Sequence, residues 1–248
     1  MSRSNNFTSS QIHKLVKKGN YQGFLKSGET YIKEKSLEYF LGKSIDKDFY
    51  SQDATWGIVM EYFVYKKISE LDPNYNHIDD NDSNARRFHK DLDWSGVPDF
   101  EIPDAIISES KSYQLKKFSE YSLCLKQKNV ELLKKEFPQE YWQIVSNSVI
   151  NNTEWGEAIS YAPTIDELKE IAYEIHNTDI LKNIEPWKYR FIEEKVELEL
   201  FDELACIPND SKIPSLTRFD FKVPEADKDL LTERVTLAQQ LKDKLNGN

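Results

Sequence analysis

Residues 96–111 read Gly96-Val97-Pro98-Asp99-Phe100-Glu101-Ile102-Pro103-Asp104-Ala105-Ile106-Ile107-Ser108-Glu109-Ser110-Lys111, and the fold turns on how this stretch is read. Two short apolar runs, Phe100–Ile102 and 105–110, flank the turn pair Pro103-Asp104, which predicts a β-hairpin. Side chains alternate along a strand, so Glu109 and Lys111 point to one face, and pairing brings Asp99, at the start of the first strand, alongside them. Two carboxylates converging in this way make an oxygen-rich site for a hard divalent cation such as Mg²⁺, with the Ser110 carbonyl as a further ligand. Asp104 competes with Asp99 for this role, but a Pro-Asp turn accounts for it, and Asp99 is preferred. Lys111 beside the cation orients an attacking water or acts on its proton, and offsets phosphate charge. Phosphodiester hydrolysis requires these components.

Outward from the hairpin, the flanks alternate between helical and extended patterns. Upstream, Thr8 with Gln11 reads as a capping box opening a helix that Gly19 stops. A helix over 29–41 has Tyr31, Leu37, Tyr39, Phe40 and Leu41 on its apolar side. Another over 55–71 carries Trp56, Val59, Met60, Phe63, Val64 and Ile68 at helical spacing. Downstream, helices are predicted over 114–136, 139–151 and 165–176, with a strand at Trp155–Tyr161. Residues 189–198 fit strand or helix, and 226–245 form an amphipathic helix striped by Leu231, Val235, Ala238, Leu241 and Leu245. This order predicts an α/β (α+β) domain with a small mixed β-sheet flanked by helices.

Composition narrows the function classes. The chain has 248 residues, 39% of them hydrophobic and 31% charged, with a mean hydropathy of −0.68, as in soluble globular proteins. No apolar run is long enough to cross a bilayer, and the opening MSRSNNFTSS lacks the apolar core of a secretion signal, so a cytoplasmic address is expected. Cys124 and Cys206 lie too far apart for a CxxC zinc site, the four histidines show no paired-ligand spacing, and no GxGxxG or P-loop occurs. The net charge of −10 looks wrong for a protein that grips nucleic acid, but its distribution is segregated. Residues 1–47 carry +5 and residues 111–135, with seven lysines against Glu120 and Glu131, carry another +5, leaving the remainder at −20. Such segregation suits a polyanion-binding face on an acidic body. The helix following Lys111 can present Lys116 and Lys117 to a DNA backbone. Trp94 and Tyr113 flank the hairpin, where their rings could stack on bases or serve the core.

Asp99, a ten-residue gap and Glu109-x-Lys111 resemble the core of the PD-(D/E)XK nucleases, and more narrowly the phage-type alkaline exonucleases of the lambda kind. Trp56-Gly57-Ile58-Val59-Met60-Glu61 matches that family's WGxxxE, and Tyr141-Trp142-Gln143 matches its YxQ. Pro163 follows a strand at the family's distance, and Phe7-Thr8-Ser9-Ser10-Gln11-Ile12 resembles its opening. The likeness spans about residues 3–163. It implies a restriction-endonuclease-like core, with a nuclease domain over 1–200, a later strand over 189–192, and a C-terminal extension over 201–248 packed on the same domain.

The resemblance also implies roles. Asp99 and Glu109 would be the principal metal ligands, and Glu61 would help to hold a second ion, giving two Mg²⁺ (or Mn²⁺). Lys111 would position or deprotonate the attacking water, and Gln143 would orient water or the scissile phosphate. Arg3 and Ser10 match positions that hold a 5′ phosphate, while Val97 replaces the small hydroxyl residue common there. The implied activity is 5′-to-3′ resection of linear duplex DNA with a free end, in a phage-type recombination system with a single-strand annealing partner and a ring trimer. A PD-(D/E)XK endonuclease and a DNA-binding module with a decayed site are the alternatives.

Overall fold

The computed structural model describes residues 5–17, 19, 23–45, 51–79, 82 and 84–247. A short strand β1 (Phe7–Thr8) leads through a 3-10 turn (Ser9–Gln11) into α1 (His13–Val16), α2 (Lys26–Leu41) and α3 (Gln52–Leu71). Five strands follow: β2 (Asn76–His77), β3 (Arg87–Phe88), β4 (Trp94–Gly96), β5 (Phe100–Ile102) and β6 (Ile106–Lys111). Then come α4 (Leu115–Lys126), α5 (Val130–Glu136), α6 (Pro138–Asn151), β7 (Trp155–Tyr161), α7 (Ile165–Asn177), α8 (Pro186–Glu197), β8 (Leu216–Lys222) and α9 (Glu225–Asn246).

The expected hairpin is present: β5 and β6 pair antiparallel, Phe100 opposite Ser108. Asp104 sits at the exposed turn with a left-handed φ of 60°. β6 then pairs parallel with β7, Glu109 opposite Ala158. Parallel neighbours need a long crossover, which α4, α5 and α6 supply. The main sheet runs β2-β5-β6-β7-β8, and a smaller one β1-β4-β3 lies beside it. This is the expected mixed sheet flanked by helices. One face packs Ile107, Ala158, Phe219 and Phe221 against α6 and α9. The other packs Phe100, Ile159 and Tyr161 against α3, α7 and α8.

Residues 201–248 contribute both a strand and a helix to this body. β8 pairs along the whole of β7, and α9 buries Leu231, Val235 and Ala238 completely. Each fully buried Leu or Val contributes about 1.5–3 kcal/mol. The Tyr141 hydroxyl donates to Asp227 on α9 at 2.5 Å, and Lys134 adds an ion pair at 2.7 Å.

Several sequence expectations are corrected. Thr8 makes no capping bond and closes β1 instead, its amide donating to the Tyr31 hydroxyl at 2.7 Å. On α2 the inward face is Tyr31, Ile32, Lys35 and Glu38, while Leu37, Tyr39, Phe40 and Leu41 are about half exposed. Glu38 sets that orientation: its carboxylate accepts from Lys35, the Asn5 amide and Ser44, so it turns inward with them. The 114–136 helix is two helices, broken where Lys128 takes a φ of 48° and Asn129 caps α5 through the Leu132 amide. Residues 189–192 are helical in α8, not a strand; the strand that follows is β8.

A buried charge anchors the sheet on the face away from Glu109. Glu157 is 1% exposed and accepts from Arg218 Nε (2.7 Å), Ser108 Oγ (2.7 Å) and the Tyr75 hydroxyl (2.9 Å). Removing one partner of such a pair leaves an uncompensated charge. Arg218→Ala is therefore expected to lower the unfolding free energy by about 3 kcal/mol, read from the urea midpoint at unchanged slope.

Candidate active site

β6 lies inside the sheet with a neighbour on each side, so Glu109 is wholly removed from solvent. Such a carboxylate must find donors for both oxygens. Gln143 Nε2 donates to its Oε2 at 2.5 Å, Asn147 Nδ2 donates to its Oε1, and Lys111 Nζ reaches Oε2 at 3.3 Å. Gln143 and Asn147 are one turn apart on α6, hence on one face. The alternation of β6 puts Lys111 on the side of Glu109, as expected. Asp99 Oδ2 accepts from the Ser110 amide (2.7 Å) and hydroxyl (3.1 Å), and the Asp99 amide donates to the Ser108 carbonyl at 3.1 Å.

Glu61 comes from α3, where Ser51 caps the first turn and the Trp56, Val59, Met60 and Phe63 side is buried. Its Oε1 lies 2.8 Å from His77 Nε2. The His77 ring is stacked on Tyr65 and held edge-on by Tyr62. Burial and then the charge of Asp99 push the Glu61 carboxyl up to about 7. The same two causes, in that order, raise Glu109 well above the usual carboxylate range. Burial opposes the charge on Lys111, but Asp99 and Glu109 outweigh it and hold the ammonium protonated.

A cavity of about 340 Å³ opens beside them, its wall including Ser10, Glu61, Asp99 and Gln143. Four distant stretches of chain therefore meet at one place. Glu109 is reached from the cavity through Gln143, with Lys111 beside it. Ser110 faces Asp99 with its amide and hydroxyl. Lys116 is exposed and Lys117 is tied to Glu140 at 2.9 Å; both lie along a second open groove beside α4. Arg3 lies outside the described residues. Trp94 is wholly buried, its indole donating to Ser146 at 2.8 Å, so its ring cannot stack on a base; Tyr113 is partly buried, its hydroxyl bonded to Glu140 and the Lys117 ammonium 3.7 Å from its ring centroid.

Sequence reading missed Asn147, His77 and two cations of the cavity wall, Arg86 and Lys188. The i, i+4 spacing of Gln143 and Asn147 was the signal for the first. His77 carried none, because its partner lies sixteen residues away on another element.

In donor chemistry the site fits a hard divalent cation. Its groups are carboxylates and amide or hydroxyl oxygens, and the charge of Asp99 adds to burial in raising both Glu61 and Glu109. Among the described residues, no three His, Cys, Asp or Glu side chains stand together as a ready ligand set. Each carboxylate is turned to a protein donor instead.

No family model matches the chain, and no curated protein matches it in sequence. Solved structures do. The alkaline exonuclease LHK-Exo of Laribacter hongkongensis superposes with a TM-score of 0.62 at 10% identity, covering 99% of this chain and 91% of that one. Its complex with dAMP gives 0.60 at 11%, covering 99% and 90%. A phage-related exonuclease of Haemophilus somnus 129PT gives 0.60 at 12%, covering 98% and 95%. The fold is thus shared almost end to end.

Gly96 lines the cavity where the small sheet meets α6. A Cβ there would lie 2.0 Å from Asn147 Oδ1 and 2.2 Å from Ser9 Oγ. Gly96→Ala is expected to cost about 1–3 kcal/mol of stability through overpacking, measurable by urea unfolding.

Proposed function

We propose that this protein is a metal-dependent deoxyribonuclease that hydrolyses linear duplex DNA from an end. The observation that carries this reading is the meeting of Glu61, Asp99 and Gln143 on one cavity wall, with Glu109 and Lys111 directly behind. The likeness in fold to three structures of two exonucleases supports it. Asp99, Glu109 and the Ser110 carbonyl would hold one Mg²⁺ or Mn²⁺, with Glu61 toward a second. The bound cation would supply Lewis acidity toward the phosphoryl oxygen and make water a stronger nucleophile.

The chain's own groups account for the rest. Gln143 gives one of its two amide hydrogens to Glu109, and its carbonyl oxygen would accept from and orient the attacking water. Lys111 is a donor flanked by carboxylates, and it would steer water and offset phosphate charge. Attack would form a P–O bond as the bond to the leaving 3′ oxygen breaks, the water's proton passing to solvent and the 3′ oxygen taking one from solvent. Ser10 and the cations Arg86 and Lys188, on the same wall, suit the strand's phosphates.

Wild type with Mg²⁺ is expected to degrade a linear duplex carrying a 5′ phosphate and to leave the same sequence intact as a closed circle. Glu109→Ala is expected to abolish the loss. Nicking of the circle would instead establish an endonuclease, and cleavage of neither DNA would refute the nuclease reading. Mg²⁺ is also expected to raise the melting temperature of wild type and not of Asp99→Ala, read by differential scanning calorimetry, since a ligand of the folded state stabilises it.

A further inference from the structure

Behind the cavity wall lies a chain of buried polar groups that the chemistry above does not use. Trp94 Nε1 lies 2.8 Å from Ser146 Oγ, Ser146 Oγ lies 2.7 Å from Ser9 Oγ, and Ser9 Oγ lies 2.8 Å from Asn147 Oδ1. Asn147 Nδ2 then donates to Glu109 Oε1. Trp94, Ser146, Asn147 and Glu109 are wholly buried, and Ser9 is 3% exposed.

The polarity of this chain is dictated from its two ends. An indole N–H can only donate, and an amide carbonyl oxygen such as Asn147 Oδ1 can only accept. Ser146 accepts from Trp94 and gives its one proton to Ser9, and Ser9 gives its proton to Asn147 Oδ1. The Asn147 amide is thereby locked with nitrogen, not oxygen, toward Glu109. A flipped amide would set its oxygen against the Glu109 carboxylate and its nitrogen against the Ser9 hydroxyl, leaving that hydroxyl only the longer contact to the Ser95 carbonyl at 3.4 Å. Chains of this kind reinforce one another in a low-dielectric interior. Gly96 belongs to the design, because no Cβ fits between Ser9 and Asn147.

The geometry points to Asn147 and Ser9 as positioning residues for Glu109: a directional hydrogen-bond array running from Trp94 through Ser146, Ser9 and Asn147 fixes the carboxylate that the proposed hydrolysis depends on. The inference rests on the nuclease reading for what Glu109 does, but not for the existence of the array. Ser9 also lines the cavity, so the array joins the wall the substrate would touch to the buried carboxylate.

The test has two arms, on folded variants verified by circular dichroism. In the kinetic arm, Asn147→Ala is expected to lower kcat about 10- to 100-fold with KM for linear duplex within about twofold of wild type. Ser9→Ala, the milder change, is expected to lower it less. Because Ser9 acts through Asn147, the double variant should be no slower than Asn147→Ala alone, a non-additivity that independent structural defects do not produce. A double variant whose loss is the product of the single losses, or an Asn147→Ala kcat within twofold of wild type, would overturn the inference. In the second arm the indole N–H resonance of Trp94 and the side-chain amide resonances of Asn147 are followed by NMR without metal or DNA. Both are expected to move in Ser9→Ala, and unmoved resonances would refute the array. If wild type cleaves no DNA, the nuclease reading falls and the NMR arm still decides the array.

Discussion

A carboxylate buried completely inside a sheet carries a desolvation cost that only donors aimed at both of its oxygens can offset. Glu109 is in that position, and much of the local architecture follows from it. α6 must present two amides to it one turn apart, Gln143 and Asn147, and so must lie at a set height and rotation over β6. α6 is held there in turn by Tyr141 on Asp227, and by Glu140 accepting from Tyr113 and Lys117. The motif residues of this helix thus divide their work: Tyr141 fastens α9, and Gln143 faces the cavity.

The electrostatics of the chain follow from pairing more than from composition. Of the seven lysines in 111–135, Lys111, Lys117, Lys134 and Lys135 are committed to Glu109, Glu140, Asp227 and Glu136. Part of the local excess of positive charge is thus offset by acidic residues, two of which, Glu140 and Asp227, are brought in from other elements. The cavity itself is bipolar, with Glu61, Asp79 and Asp99 on its wall together with Arg86 and Lys188. Such a site suits an anion that arrives with a cation, which is the state of a phosphodiester in divalent salt.

The two faces of the sheet are stabilised by different means. On the α6 face a polar array surrounds Glu109. On the other, Glu157 is neutralised by Arg218, which is supplied by β8 from the last quarter of the chain. The C-terminal residues therefore complete the sheet and cover its core, and no helix among those described is long and apolar enough to cross a membrane.

The hairpin of Asp99 and Glu109, the shared face of Glu109 and Lys111, the inward side of α3 and the strand Trp155–Tyr161 were all legible in the sequence. Each depends on a repeat of two or 3.6 residues over a short span, where the backbone alone decides direction. The meeting of Glu61, Asp99 and Gln143 was reached only through the order of family-like motifs, because no local rule relates residues 61 and 143. Orientation set by partners stayed hidden: α2 turned Glu38 inward and Tyr39 and Phe40 outward once Asn5 and Ser44 supplied donors, and β8 went unread until β7 stood beside it. His77, Ser9 and Asn147 acquire their roles the same way. A hydrogen bond has a direction and a length but no sequence separation, so which donor meets a buried carboxylate is decided only when the chain has closed around it.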